Sequence, residues 1–220
     1  MTHELDSIAR VAPAELAGML DAARTALVVI DIQDDFAAPD GAMGRLGLDL
    51  SAVPPMLERI HATIAAARAA GATLAFARVV TTSEADSRAL RLLTQRKGYP
   101  AESLAVCRDG TPGAGYYQVR PQPGDIEVRK RLYSAFAGTR FDEDLRARGI
   151  DTLVVVGLTT DCCVDATVRD AFHRDFNVFV VADACDAYDR AVHRSSLAAL
   201  QAHCALVTDT DAVCAAWAPR

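Results

Sequence analysis

The succession of apolar and amphipathic segments predicts an α/β protein, a three-layer α/β/α sandwich around a mainly parallel sheet of six strands. Short apolar runs such as "TALVVID" (Thr25 to Asp31) and "TLVVVG" (Thr152 to Gly157) lack polar alternation, as strands buried on both faces of a parallel sheet do. Segments with helical spacing alternate with these runs, which calls for parallel strands joined by right-handed helical crossovers. The chain of 220 residues, 51% of them hydrophobic, holds enough apolar material for one full core and too little for two domains with a linker. Residues 1–220 are therefore read as one domain.

In chain order, Leu16, Met19, Leu20 and Ala23 recur at helical spacing and predict an amphipathic helix within the first 24 residues. The strand Thr25 to Asp31 follows. From Ser51, Met56, Leu57, Ile60, Ile64 and Ala67 share a helix face until Gly71 stops it. "ATLAFARVV" (Ala72 to Val80) is the second strand. Between about Thr81 and Gly124 the rhythm breaks into polar and Gly/Pro-rich sequence, which suits a site-forming loop region or a variable surface. Alternation then resumes with strand "IEVR", helix "FDEDLRARG", strand "TLVVVG" and a helix from about Asp161 to Asp175. Strand "NVFVVAD", helix "HRSSLAALQAH", strand "ALVTD" and a last helix through Trp217 complete it.

A net charge of -6 with no basic stripe argues against nucleic-acid binding. No stretch approaches the roughly 18 uninterrupted apolar residues of a membrane span, and the N-terminus lacks a basic region followed by an apolar core. A soluble, cytoplasmic protein is expected. The six cysteines lack the density of a disulfide framework and read mostly as buried free thiols.

Ligands of such sheets bind beyond the carboxyl ends of the strands, so the residues there matter most: Asp31, "VVTT", Lys130, "GLTTDCC" and Asp183. Asp31 ends a buried strand with a carboxylate, which is costly unless paired. Asp34 and Asp35 read as solvated turn residues or caps. Lys130 is one of only two lysines among 23 basic residues, and a lysine, unlike arginine, is compact and shifts its pKa readily. In "GLTTDCCVDATVRDAF", Gly157 permits a sharp turn and Thr159, Thr160 or Asp161 can cap the next helix. Cys163 then lies at its first turn, where unpaired N–H groups favour a thiolate and can hold an oxyanion. Helical neighbours point about 100° apart, so only one of Cys162 and Cys163 can face the strand ends. A lone cysteine is by default structural. An acid and a lysine at separate strand ends single this one out as a nucleophile.

These stretches, together with "RKRLYSAFAGTRF" and "VFVVADAC", resemble the signature blocks of the isochorismatase-like cysteine hydrolases from about Thr25 to Val213. That family includes nicotinamidases, N-carbamoylsarcosine amidase, ureidoacrylate amidohydrolases and biuret hydrolases. Its strand-end Asp, its "K-x-x-Y-S-x-F" lysine and its "G-x-x-T-x-x-C-V" cysteine fall on Asp31, Lys130 and Cys163. The resemblance implies Asp31 as proton acceptor and later donor, Lys130 as cationic organiser and Cys163 as nucleophile, with Cys162 at a free position. It also implies a cis peptide between Leu158 and Thr159, aiming the amides of Thr159 and Cys163 at the substrate oxygen. The expected Rossmann-like strand order 3-2-1-4-5-6 sets the first and fourth strands side by side. Lys130 must then reach back across about 10 Å of sheet top.

Family members that cleave a vinyl ether lack the cysteine, so Cys163 implies C–N hydrolysis. The metal-binding members carry histidine after the second strand, where "RVVTTSEADSR" has none, so no metal and no cofactor are expected. The expected enzyme is a hydrolase of linear amide, ureido or N-carbamoyl C–N bonds, working through a thioester. A nicotinamidase-like amidase, a redox module using the vicinal cysteines and a non-catalytic binding member are the alternatives. Gln33, Phe36, Arg78, Tyr133, Ser134, Phe136 and Leu158 are the candidate pocket residues, with core packing the other reading for Phe136. His173, His193 and His203 read as structural or surface residues. The partner is a small amide or ureido substrate, and the family implies a homo-oligomer, dimer or tetramer.

Overall fold

The computed structural model describes Val11 and residues 13–218. The expected N-terminal helix is α1, Pro13–Met19, and the part of that expectation before Val11 lies outside the described residues. Strand β1, Thr25–Ile30, is buried along its whole length. Two single-turn helices that the sequence reading lacked, α2 (Asp34–Ala37) and α3 (Ala42–Arg45), follow it. Helix α4, Val53–Ala70, begins with prolines in its first turn and ends at Gly71, whose φ of 76° closes it in the left-handed conformation. Strand β2 is Thr73–Val79.

The 81–124 region contains one further helix, α5 (Arg88–Arg96), whose N-cap Ser87 accepts from the Leu90 amide at 3.4 Å. It then runs through two 3-10 turns and is stitched to the strand ends by bridges pairing Gln33 with Tyr116 and Thr81 with Arg108. Strand β3 (Ile126–Lys130), helix α6 (Phe141–Arg146) and strand β4 (Thr152–Leu158) follow. The helix expected from Asp161 begins as a π-helical turn, Thr160–Val164, before α7, Asp165–Phe172. Strand β5 is Asn177–Asp186, helix α8 is Arg190–His203, strand β6 is Leu206–Thr208 and helix α9 is Thr210–Ala216.

All six strands are parallel, in the order β3-β2-β1-β4-β5-β6. Alternation along β1 builds the two faces. Ala26, Val28 and Ile30 enter a core with Leu145, Val168 and Leu197 of α6, α7 and α8. Leu27 and Val29 point the other way, into a core with Leu16 of α1, Ile60 of α4 and Val213 of α9. The order changes direction beside β1, where crossovers pass to opposite faces, and a crevice at the strand ends results. Among the described residues, no helix is long and apolar enough to cross a membrane.

Candidate active site

Asp31 directly follows β1 and adopts φ 49°, a left-handed conformation that is uncommon outside glycine. Its carboxylate is held from two sides. Oδ1 accepts from the Val79 amide at 3.1 Å, and Oδ2 accepts from Lys130 Nζ at 2.6 Å. Lys130, from the end of β3, reaches across β2 to make this pair, and its Nζ also donates to the Leu132 carbonyl at 3.1 Å. Both side chains are essentially excluded from solvent, at 0% and 1% exposure.

Burial raises the Asp31 pKa above the ordinary carboxylate value, more than the Lys130 charge and the hydrogen bonds from Cys163, Lys130 and Val79 lower it. For Lys130, burial pulls downward, but Asp31 and then Cys163 more than offset it, so its pKa lies above that of a free lysine. Each partner favours the charged form of the other, while burial works against both.

The third group arrives on β4. Gly157, at φ 126°, lies against β1 so closely that a Cβ there would sit 2.1 Å from the Ile30 carbonyl oxygen. The glycine lets the end of β4 pass the end of β1, which is where Asp31 begins. The Leu158–Thr159 peptide is cis. The Thr159 carbonyl then accepts from the amides of Cys162 at 3.0 Å and Val164 at 3.1 Å, which closes the π-helical turn. That turn departs from ordinary helical spacing, yet the two cysteines still diverge: Cys163 is buried at 7% exposure and Cys162 is half-buried. Cys163 lies near enough to Asp31 and Lys130 to act on the pKa of both. Its bond with Cys162, its burial and the Asp31 carboxylate push its thiol well above the ordinary cysteine range, against the pull of Lys130. The thiolate favoured by the helix start is therefore not the resting form. The net balance leaves a Cys163 thiol next to Asp31.

The candidate pocket residues fall into two groups. Tyr133 is half-exposed, and burial raises the pKa of its phenol. Phe36 and Ser134 stand at the same strand-end surface, Ser134 buried with its hydroxyl accepting from the Phe136 amide at 3.1 Å. Gln33 is a buried brace. Its amide donates to the carbonyls of Val79 at 2.8 Å and Ala114 at 3.1 Å, and its oxygen accepts from the Val79 amide at 2.7 Å. Arg78 is paired with Glu127 at 2.8 Å and lies over the Tyr116 ring at 5.0 Å. Leu158 packs in the core beside Val156. Phe136 packs against Phe141 and Phe176 at centroid distances of 4.9 and 5.8 Å, the core alternative stated for it.

Of the two readings for Asp35 the structure favours the cap and not the solvated turn residue: the side chain is buried, and its carboxylate accepts from the Ala42 amide that opens α3 at 3.1 Å and from the Cys107 amide at 2.7 Å. One sequence reading is corrected. Asp183 does not end β5. It caps α9 by accepting from Thr210 N at 2.9 Å and Oγ1 at 3.0 Å, and the strand continues to Asp186. That extension carries Tyr188 to the site. Its hydroxyl donates to the Phe36 carbonyl at 3.0 Å, and burial raises its pKa. The sequence reading missed Tyr188 because it ended the strand at the first acid.

A groove of about 570 Å³ lies at the other end of the sheet, where Thr152, Asn177 and Leu206 begin their strands. The strand-end chemistry, not the volume of this groove, identifies the site. Among the described residues, no group of three or more His, Cys, Asp or Glu side chains is arranged to hold a metal ion.

Residues 25–212 match the isochorismatase domain. The chain is 36% identical over 204 residues to the ureidoacrylate amidohydrolase RutB of Methylobacterium radiotolerans, covering 88% of this chain and 79% of that protein. Its fold is similar to a cysteine hydrolase from Pseudomonas syringae pv. phaseolicola, with a TM-score of 0.78, 27% identity and 95% of each chain covered. It is also similar to N-carbamoylsarcosine amidase from Thermoplasma acidophilum, with a TM-score of 0.66, 26% identity and coverage of 86% of this chain and 97% of that one. With its domain matched over most of its length and the family's strand order in its sheet, the chain belongs to the isochorismatase family.

Proposed function

We propose that the protein is a cysteine-dependent amidohydrolase that cleaves the C–N bond of a small linear amide, ureido or N-carbamoyl compound. The observation that carries this reading is the buried Lys130–Asp31 pair at the strand ends with the Cys163 thiol as its neighbour. A buried ion pair is weak evidence for stability. Next to a thiol it makes a proton acceptor of fixed orientation.

In the proposed cycle, Cys163 Sγ attacks the substrate carbonyl carbon while its proton passes to Asp31. The carbonyl oxygen takes the electron pair and is held by the backbone amides of Thr159 and Cys163. The pair returns, the C–N bond breaks, and Asp31 delivers the proton to the departing nitrogen. Ammonia or an amine leaves behind a thioester, or a thiocarbamate where the carbonyl belongs to a ureido group. Water then attacks the same carbon, giving its proton to Asp31, and the C–S bond breaks as that proton returns to Sγ. Lys130 stays charged throughout and keeps Asp31 aimed.

The raised Cys163 pKa fits this sequence, because transfer to Asp31 during attack does not require a resting thiolate. The names of the relatives support the substrate class, since one acts on ureidoacrylate and a structural neighbour on N-carbamoylsarcosine. An ammonia-release screen over biuret, N-carbamoyl amino acids, ureidoacrylate, maleamate and nicotinamide tests it. Release from a ureido or linear amide substrate is expected. Release from nicotinamide alone contradicts the substrate class.

A further inference from the structure

Helix α8 presents an inner stripe of His193, Leu197 and Leu200, all buried. The imidazole is the exception on that stripe. A leucine there would pack without desolvating a polar ring, so a buried histidine needs a partner that repays the burial. The partner is Thr160, whose Oγ1 lies 2.8 Å from His193 Nδ1, with the threonine at 0% exposure and the histidine at 2%. Thr160 opens the π-helical turn that ends with Val164 and contains Cys163.

Asp186 Oδ1 lies 3.9 Å from the imidazole Nδ1 and pairs with Arg190 at 3.0 Å, one turn before His193 on α8. Asp186 also sits opposite Leu158 in the β4–β5 pairing, which places it beside the start of the segment from Leu158 to Thr160. Burial, then Arg190 and Arg194, lower the imidazole pKa to about 4, which leaves the ring neutral at ordinary pH.

We propose that His193 is a positioning residue for the nucleophile turn: through its hydrogen bond to Thr160 it fixes the Thr159 and Cys163 amides relative to the Asp31–Lys130 pair. This inference rests on the amidohydrolase reading for its effect on turnover, while its effect on the turn itself does not. His193 touches neither substrate nor thiol. It acts by preventing the turn from shifting, and a displacement of about 1 Å at such a site costs on the order of 100-fold in rate.

The test compares His193→Leu, His193→Asn, Thr160→Val and Thr160→Ser with the wild-type protein and Cys163→Ala. Asparagine can set a polar atom near the position of Nδ1, and serine keeps the hydroxyl. Two quantities are measured: hydrogen exchange of the peptide spanning residues 158–166, and kcat and KM for ammonia release from ureidoacrylate. His193→Leu and Thr160→Val are expected to speed exchange in that peptide and to lower kcat about 10- to 100-fold with KM nearly unchanged. His193→Asn and Thr160→Ser are expected to stay near wild type in both.

Wild-type exchange and kcat in folded Thr160→Val overturn the proposal, as does loss that asparagine and serine both fail to restore. If His193→Leu does not fold, the near-isosteric Thr160→Val breaks the same bond from its other end. Failure of the amidohydrolase reading is seen separately, as turnover that is absent in wild type or retained in Cys163→Ala. The exchange measurement then decides the positioning role alone.

Discussion

Asp31 combines a left-handed backbone with a buried carboxylate, two unfavourable features at one residue that structures keep mainly where a site requires them. Its chemistry sets a pH dependence. In the proposed cycle only the ionised form accepts the thiol proton, and burial raises the Asp31 pKa, so kcat/KM should fall on acidification at a pH above the ordinary carboxylate range. Asp31→Asn suits the same backbone and removes the base of the proposed cycle, so kcat should drop by roughly 100- to 10,000-fold, and it also leaves Lys130 buried without its charged partner, a loss that denaturant unfolding measures. Lys130→Met leaves the carboxylate buried without its partner, which should cost about 3–5 kcal/mol in denaturant unfolding near neutral pH. Part of that loss should return at lower pH, as Asp31 becomes neutral. Both residues were legible in the sequence, one as an acid ending an apolar strand and the other as a rare lysine in an arginine-rich chain. His193 was not. Its partner Thr160 is 33 positions away, and nothing in helical periodicity separates a histidine bonded to a site turn from one that merely packs.

At the scale of elements, the strands were readable because burial on both sheet faces leaves no polar alternation, and their order followed from the family likeness. What escaped reading depended on contacts between distant segments. Asp183 resembles a strand end, but β5 continues past it to Asp186, and its carboxylate accepts from Thr210. The π-helical turn at Thr160–Val164 carries no periodic signal, since it is one turn long. Gly157, just before it, lies against Ile30 of the parallel neighbour β1. Gly157→Ala should force β4 away from Ile30 and strain a φ of 126°, destabilising the protein by about 2 kcal/mol or more and lowering kcat. Urea unfolding and the ammonia assay, run on the same preparation, measure the two effects.

At the scale of the whole molecule, two cores flank one sheet, and the site occupies the crevice where the crossovers diverge. The burial of His193 gives the fold an acid weakness. With its folded pKa near 4 and the usual value 6.5, the unfolded chain takes up the proton first as pH falls. Stability is thus full above about pH 6.5 and declines toward pH 4, by on the order of 3 kcal/mol from this group. Asp186, Asp161, Arg190 and Arg194 are the charged groups that act on it. Asp31 and Asp186, whose own pKa values are raised, oppose the decline, so the comparison with His193→Asn isolates it: the variant's melting temperature should fall less across that window. The central claim concerns which cysteine carries the acyl group. Rapid acid quench during turnover, followed by peptide mapping by mass spectrometry, observes it directly. The account predicts a substrate-derived mass on Cys163 that persists in Cys162→Ala and disappears, together with ammonia release, in Cys163→Ala. An adduct on Cys162, or undiminished ammonia release from Cys163→Ala, would contradict it.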